Sequence, residues 1–149
     1  MIVPDANLII YASDAHSMFH RRAHLWWTGV LNGDEPVGVS WLVLVAFIRV
    51  MSSPRLMKNP APVDDLLAEV ENWLESPAVQ VLQPTVRHPQ ALRSLLVPTG
   101  VGGNLVNDAH LAALALEYGG TVFSADTDFA RFPQVKWVNP LAELSLIHI

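Results

Sequence analysis

The sequence predicts an α/β fold on a mostly parallel sheet, and three observations predict it. Short β-favouring runs alternate with helical patterns along the chain, as strands joined by helical crossovers do. Acids stand just beyond two of these runs, at Asp5 and at Asp126 with Asp128, on the edge where open parallel sheets bind ligands. The 149 residues, 51% hydrophobic and only 15% charged, suit one core-rich domain over residues 1–149. No repeat, low-complexity segment or linker divides them.

The elements follow in order. Met1 to Val3 favours a strand, and Pro4 is tolerated only where that strand ends or pairs on one side. Asp5 then lies at the strand's carboxyl end, where it either caps a helix beginning near Asn7 or faces a ligand. From His16 to Leu31 the pattern is helical, with Phe19, Ala23, Trp26, Trp27 and Val30 on an apolar face and Asn32-Gly33 as the stop. His16, His20 and His24 recur along this helix at four-residue spacing. Without the Glu of an HExxH pattern they predict a polar, partly exposed face rather than a metal patch.

Val37 to Val39 reads as a strand and Ser40 as the cap of a helix from Trp41 to Met51. That helix is apolar on almost every side, so it belongs in the core or under a partner. Pro60 to Pro62 opens a further helix with Asp64 and Asp65 in its first turn, where the dipole favours acids. Val63, Leu66, Leu67, Val70 and Leu74 make its stripe. Val79 to Leu82 is a short strand, Pro89 to Leu96 a short helix and Thr99 to Gly103 a flexible loop.

An amphipathic helix then runs from Asn104, carries Asp108 near its start and stops at Gly119-Gly120. A short apolar strand precedes Ser124, Asp126 and Asp128, and Val135 to Val138 reads as the last strand. Residues 141–149, ending LSLIHI, read as a tail: a strand, a docking segment or a non-native addition.

Composition excludes several functions. A net charge of -5 and a pI near 5.6 argue against holding nucleic acid by bulk charge, leaving Arg21, Arg22, Arg49 and Arg55 as local contacts. The lack of cysteine excludes disulfides, thiolate metal sites and thiol nucleophiles. The first residues lack the basic region of a signal peptide. The longest apolar run, Trp41 to Ile48, falls far short of the roughly 20 residues of a membrane span. A cytoplasmic protein is expected.

Asp5, Asp108 and the Asp126/Asp128 pair can converge on one sheet edge. Packed carboxylates repel unless a cation neutralises them, and oxygen ligands favour a hard ion such as Mg2+ or Mn2+. Such an ion activates water, orients a phosphodiester and stabilises the leaving oxygen.

Together VPDANLIIYA, NDAHLAALALEYGG and SADTDF resemble the PIN domain, and specifically the VapC-type ribonuclease toxins of bacterial toxin-antitoxin modules. The resemblance covers nearly the whole chain. It implies a three-layer α/β/α sandwich, Mg2+- or Mn2+-dependent endoribonuclease activity, a homodimer and a cognate antitoxin that binds and inhibits. The implied metal ligands are Asp5, Asp108 and Asp126, with Asp128 as a further catalytic acid and Ser124 as polar support. One departure stands out: where many members place a Glu on the second helix, this chain has Ala46, which predicts one well-held ion or a weak second one. The remaining readings are a catalytically inactive PIN module that only binds antitoxin or RNA, and a metal-dependent phosphatase using the Asp126-Thr127-Asp128 pattern. Such a phosphatase should carry that pattern after its first strand, not a late one.

Overall fold

Five strands form the sheet in a computed structural model that describes residues 1–142. They are β1 (Ile2–Pro4), β2 (Val37–Val39), β3 (Val79–Val81), β4 (Thr121–Phe123) and β5 (Trp137–Val138), in spatial order β3-β2-β1-β4-β5. Every pairing is parallel. The helices are α1 (Ala6–Ser13), α2 (His20–Leu31), α3 (Trp41–Met51), α4 (Val63–Glu75), α5 (His88–Leu96) and α6 (Leu105–Tyr118). Short 3-10 turns span Val97–Thr99 and Thr127–Arg131. The helices form two packed groups around the sheet, α1 to α4 and α5 with α6, as the expected three-layer α/β/α arrangement requires. Most of the 141–149 stretch lies outside the described residues.

Strand order decides where a ligand can sit. The chain places β1, β2 and β3 successively to one side, then returns to the other side of β1 with β4 and β5. The carboxyl ends of β1 and β4 therefore flank the point where the connections diverge, the crevice that open parallel sheets use for binding. Pro4 fits because β1 ends there and at that residue pairs only with Phe123 of β4. Gly38 in β2 is required by close packing, since a Cβ would lie 2.6 Å from Leu82 Cδ1, itself in the core. Gly119 ends α6 with φ +67, the left-handed cap that its Gly-Gly stop predicts.

Several expectations are corrected. The second helix begins at His20 rather than His16, because Asp14 captures the preceding residues in a turn: His16 N–H donates to Asp14 Oδ1 and Ser17 N–H to the Asp14 carbonyl. His16 thus leaves the histidine face and pairs instead with Asn59. On α4 the buried stripe is Leu66, Val70 and Trp73, leaving Val63 and Leu67 exposed. Trp73 is chosen over its neighbours because its ring meets Phe47 and Trp27 edge-on, at 4.8 and 5.6 Å. The last strand shortens to Trp137–Val138. Trp27 is buried as its helical spacing predicts, and its indole N–H is the one buried side-chain polar atom among the described residues without a partner.

The α3 helix divides in two. Val43, Leu44 and Phe47 enter the core, while Trp41, Leu42 and Val45 stay exposed. On the other side of the molecule, α5 is tied to α6 by a buried polar chain. His88 Nδ1 lies 2.6 Å from Glu117 Oε2, and His88 Nε2 lies 2.9 Å from His110 Nδ1. The Thr85 N–H and hydroxyl donate to Glu117 Oε1. Burial pushes the Glu117 carboxyl up, but the hydrogen bonds from His88 and Thr85 outweigh it and hold the group below its ordinary value.

Candidate active site

Asp5 follows β1 directly and caps α1, its Oδ1 accepting from the Ala6 N–H at 2.8 Å. The capping and ligand-facing readings are therefore not exclusive, because the second oxygen is held by other groups. Asp5 Oδ2 accepts from Ser124 Oγ at 2.7 Å and from Asn7 Nδ2 at 3.3 Å. Ser124, just past β4 and fully buried, also accepts from Asn7 Nδ2 and from the Asp126 N–H. Asn7 Oδ1 accepts from the Ala125 N–H. One hydroxyl and one amide thus lock the ends of β1 and β4 together and fix Asp5 against Asp126.

Asp126 N-caps the second 3-10 turn, its Oδ1 accepting from the Asp128 N–H at 2.9 Å. Asp128 is half-exposed and lies 3.7 Å from Arg131 Nε. Asp108 enters from the first turn of α6. Asp108, Asp126 and Asp128 each present an oxygen within 4.8 Å of the others, the one such cluster of three among the described residues. Asp5 is not of that trio but shares with Asp108 a cleft of about 230 Å3, also lined by Ala46, Arg49 and Asn107.

The donor set suits a hard divalent cation: oxygen only, closely spaced and mutually repelling. Asp108 registers that repulsion. Burial, then the charges of Asp126, Asp5 and Asp128, push its carboxyl up to about 7. Asp5 is also raised, by burial above all and further by Asp126, against the opposing bonds from Ser124 and Ala6.

A family model described as the PIN domain matches residues 2–135. The chain belongs to the PIN-domain family. Ribonuclease VapC37 of Mycobacterium tuberculosis is 41% identical over 144 residues, covering 97% of this chain and all of the relative. Ribonuclease VapC43 of the same species is 39% identical over 145 residues, covering 95% of this chain and 96% of the relative. Among solved structures, VapBC2 from Rickettsia felis, bound to a DNA fragment from its promoter, aligns with a TM-score of 0.67 at 18% identity, over 93% of this chain and 98% of that one. VapC20 of M. tuberculosis, a sarcin-ricin loop cleaving toxin, aligns with a TM-score of 0.65 at 21% identity, over 91% and 99%. At those identities the solved structures speak for the PIN fold alone.

Within this PIN domain the predicted arginines separate. Arg49 lines the cleft. Arg22 donates to the Leu141 carbonyl at 3.0 Å, while Arg21 and Arg55 are exposed on α2 and in the turn after α3. Sequence reasoning missed Asn7 and Arg131. Asn7 had one signal, its place two residues after Asp5, which suits a side chain bridging back to that carboxylate. Arg131 had none beyond its spacing of three from Asp128.

The Ser124 lock gives a direct expectation. Ser124→Ala leaves the Asp126 N–H and Asn7 Nδ2 short of an acceptor and costs about 1–3 kcal/mol for each group left unpaired in the interior. Urea unfolding of Ser124→Ala, Asp5→Ala and the double variant should give a coupling energy well above zero.

Proposed function

We propose that this chain is a divalent-metal-dependent endoribonuclease, the toxin of a toxin-antitoxin pair, held inactive by its cognate antitoxin. The observation that carries the reading is the Asp108, Asp126 and Asp128 cluster beside Asp5 at the β1/β4 crevice. Full-length similarity to proteins named VapC ribonucleases supports RNA as substrate, and the same similarity, with the motifs' resemblance to toxins of toxin-antitoxin modules, supports an antitoxin partner.

Asp108 and Asp126 hold the ion, Mg2+ or Mn2+, with Asp5 and Asp128 completing the acidic wall. Asp126 is the better-held of its pair, because the cap fixes one oxygen and leaves the other free. Asp128 is half-exposed and shared with Arg131. When bound, the ion offsets the clustered negative charge and supplies Lewis acidity toward water and a phosphodiester. Asp5 and its Ser124 and Asn7 bonds set the floor of the cleft, and Arg49 at its rim positions the flanking phosphate. Arg21, Arg22 and Arg55 steer the backbone more remotely. Neutral substitution of all four arginines should weaken RNA cleavage, and unchanged cleavage would remove them from the reading.

The exposed α3 face of Trp41, Leu42 and Val45 is offered to a second copy or to the antitoxin, the two apolar partners this reading requires. RNA ends mapped after brief expression in cells test the function: new discrete ends, absent when the antitoxin is co-expressed, are expected.

Two results follow for the ion. Asp108 is protonated below about 7 without a cation, so binding must expel that proton. Affinity by calorimetry should fall about tenfold per unit as pH drops below that value and level off above it. The same titration should find one well-held ion. Ala46 lines the cleft beside Asp5 and Asp108, so Ala46→Glu should add a second. Two tight ions in the unsubstituted protein would refute the single-ion reading.

A further inference from the structure

A cavity of about 950 Å3 lies away from the acidic cleft and shares no residue with it. It opens where the end of α1 meets α2 and α4, and His20 and His24 line it one helical turn apart. His20 Nδ1 lies 3.0 Å from the Tyr11 carbonyl and His24 Nδ1 3.4 Å from the Ala12 carbonyl. A carbonyl only accepts, so each Nδ1 carries a proton, and in the neutral ring that leaves the lone pair on Nε2. This is the outer bonding that orients metal-ligating imidazoles and raises their basicity.

The spacing agrees. Bonds of about 2.0–2.1 Å from nitrogen to zinc place the centroids of two rings on one ion roughly 5–6 Å apart. The His20 and His24 centroids are 5.6 Å apart, tilted by 32°. Charge selects the sign of the guest: Asp34, Glu69 and Glu75 line the cavity and no Lys or Arg does. Among the described residues no carboxylate joins both imidazoles within 4.8 Å, so the protein supplies two nitrogens, and solvent supplies the rest of the shell.

We propose that His20 and His24 form a second cation site, selective for a borderline divalent transition metal such as Zn2+, spanning the α1–α2 corner. Imidazole nitrogen prefers such ions to Mg2+, whereas the all-oxygen acidic cluster has the opposite preference.

ZnCl2 titrated into the full chain carrying Asp108→Asn, which weakens the acidic cluster, separates the two sites. Long-range 1H–15N spectra should show the Nε2 signals of His20 and His24 moving together, saturating at one Zn2+ per chain, with Nδ1 remaining protonated. MgCl2 should leave both unmoved. His24→Gln, on an exposed position whose folding circular dichroism checks, should weaken Zn2+ binding by at least the roughly tenfold that loss of an outer-sphere partner costs. His16→Gln should not. Zn2+ affinity unchanged in His24→Gln, or Nε2 signals unmoved at saturating Zn2+, would overturn the site.

Discussion

Asp108→Asn and Asp5→Asn are each expected to lower RNA cleavage by about a hundredfold to ten-thousandfold, the several kcal/mol that metal-assisted charge stabilisation supplies. The two should differ in stability. Asp108 carries a raised carboxyl in the ion-free fold, about 7 against an ordinary 3.8. The folded state thus binds the proton more tightly than the unfolded chain, and stability falls as pH rises between those values. The amide has no such proton to lose and gains no charge, so Asp108→Asn should flatten this slope and leave the ion-free protein more stable than its parent at pH 8. Asp5→Asn exchanges an oxygen that accepts from Ser124 and Asn7, or from the α1 N-terminus, for an amide that donates. It should lose stability as well as activity. Cleavage of a defined RNA, with thermal melts across the pH range, reads both. Full activity in either variant would reject the proposed metal chemistry.

The second large effect is in the core. Phe47→Ala should cost about 3–5 kcal/mol, the usual toll for truncating a buried aromatic. Phe47 is fully buried, and its ring meets Trp73 at 4.8 Å. Trp73 in turn meets Trp27 at 5.6 Å, so one cavity loosens α2, α3 and α4 together. At about 2–4 °C per kcal/mol for a chain of this size, the melting temperature should fall by about 6–20 °C. Phe47→Leu fills most of the volume and should recover most of the loss. Ala46 and Arg49 line the cleft from the same helix, so the Ala variant should also bind the ion more weakly. Stability within a degree or two of the parent would contradict this account of the core.

Much of this was legible in the sequence because it is local. Strand runs, caps and the glycine stop are set by nearest neighbours, which is why Ser40, Asp64, Asp65 and Gly119 stand where their chemistry predicts. Acids just beyond strands pointed to the crevice because a parallel sheet has one ligand-binding edge. Departures arose where side chains chose between local patterns. Asp14 drew His16 into a turn although the helical spacing included it, and Trp73 takes a place in the buried stripe of α4 because two distant rings receive it. The Asn7–Ser124 lock and the Glu117–His88–His110 chain join residues remote in sequence, and no spacing encodes a partner that far away.

The same lock constrains when the protein can act. β1 is made first, yet it is the middle strand, and its three-residue pairing is with β4. Asp5 finds its Ser124 partner 119 residues later. Closing so long a loop gains nothing until the far strand arrives, so pairing of this kind is slow and comes late. A chain still leaving the ribosome therefore has no assembled acidic crevice, and an unfinished copy is silent. Activity begins only after β4 and Ser124 have been made, a built-in delay during which a partner already present can reach the nascent protein before it can harm the cell making it.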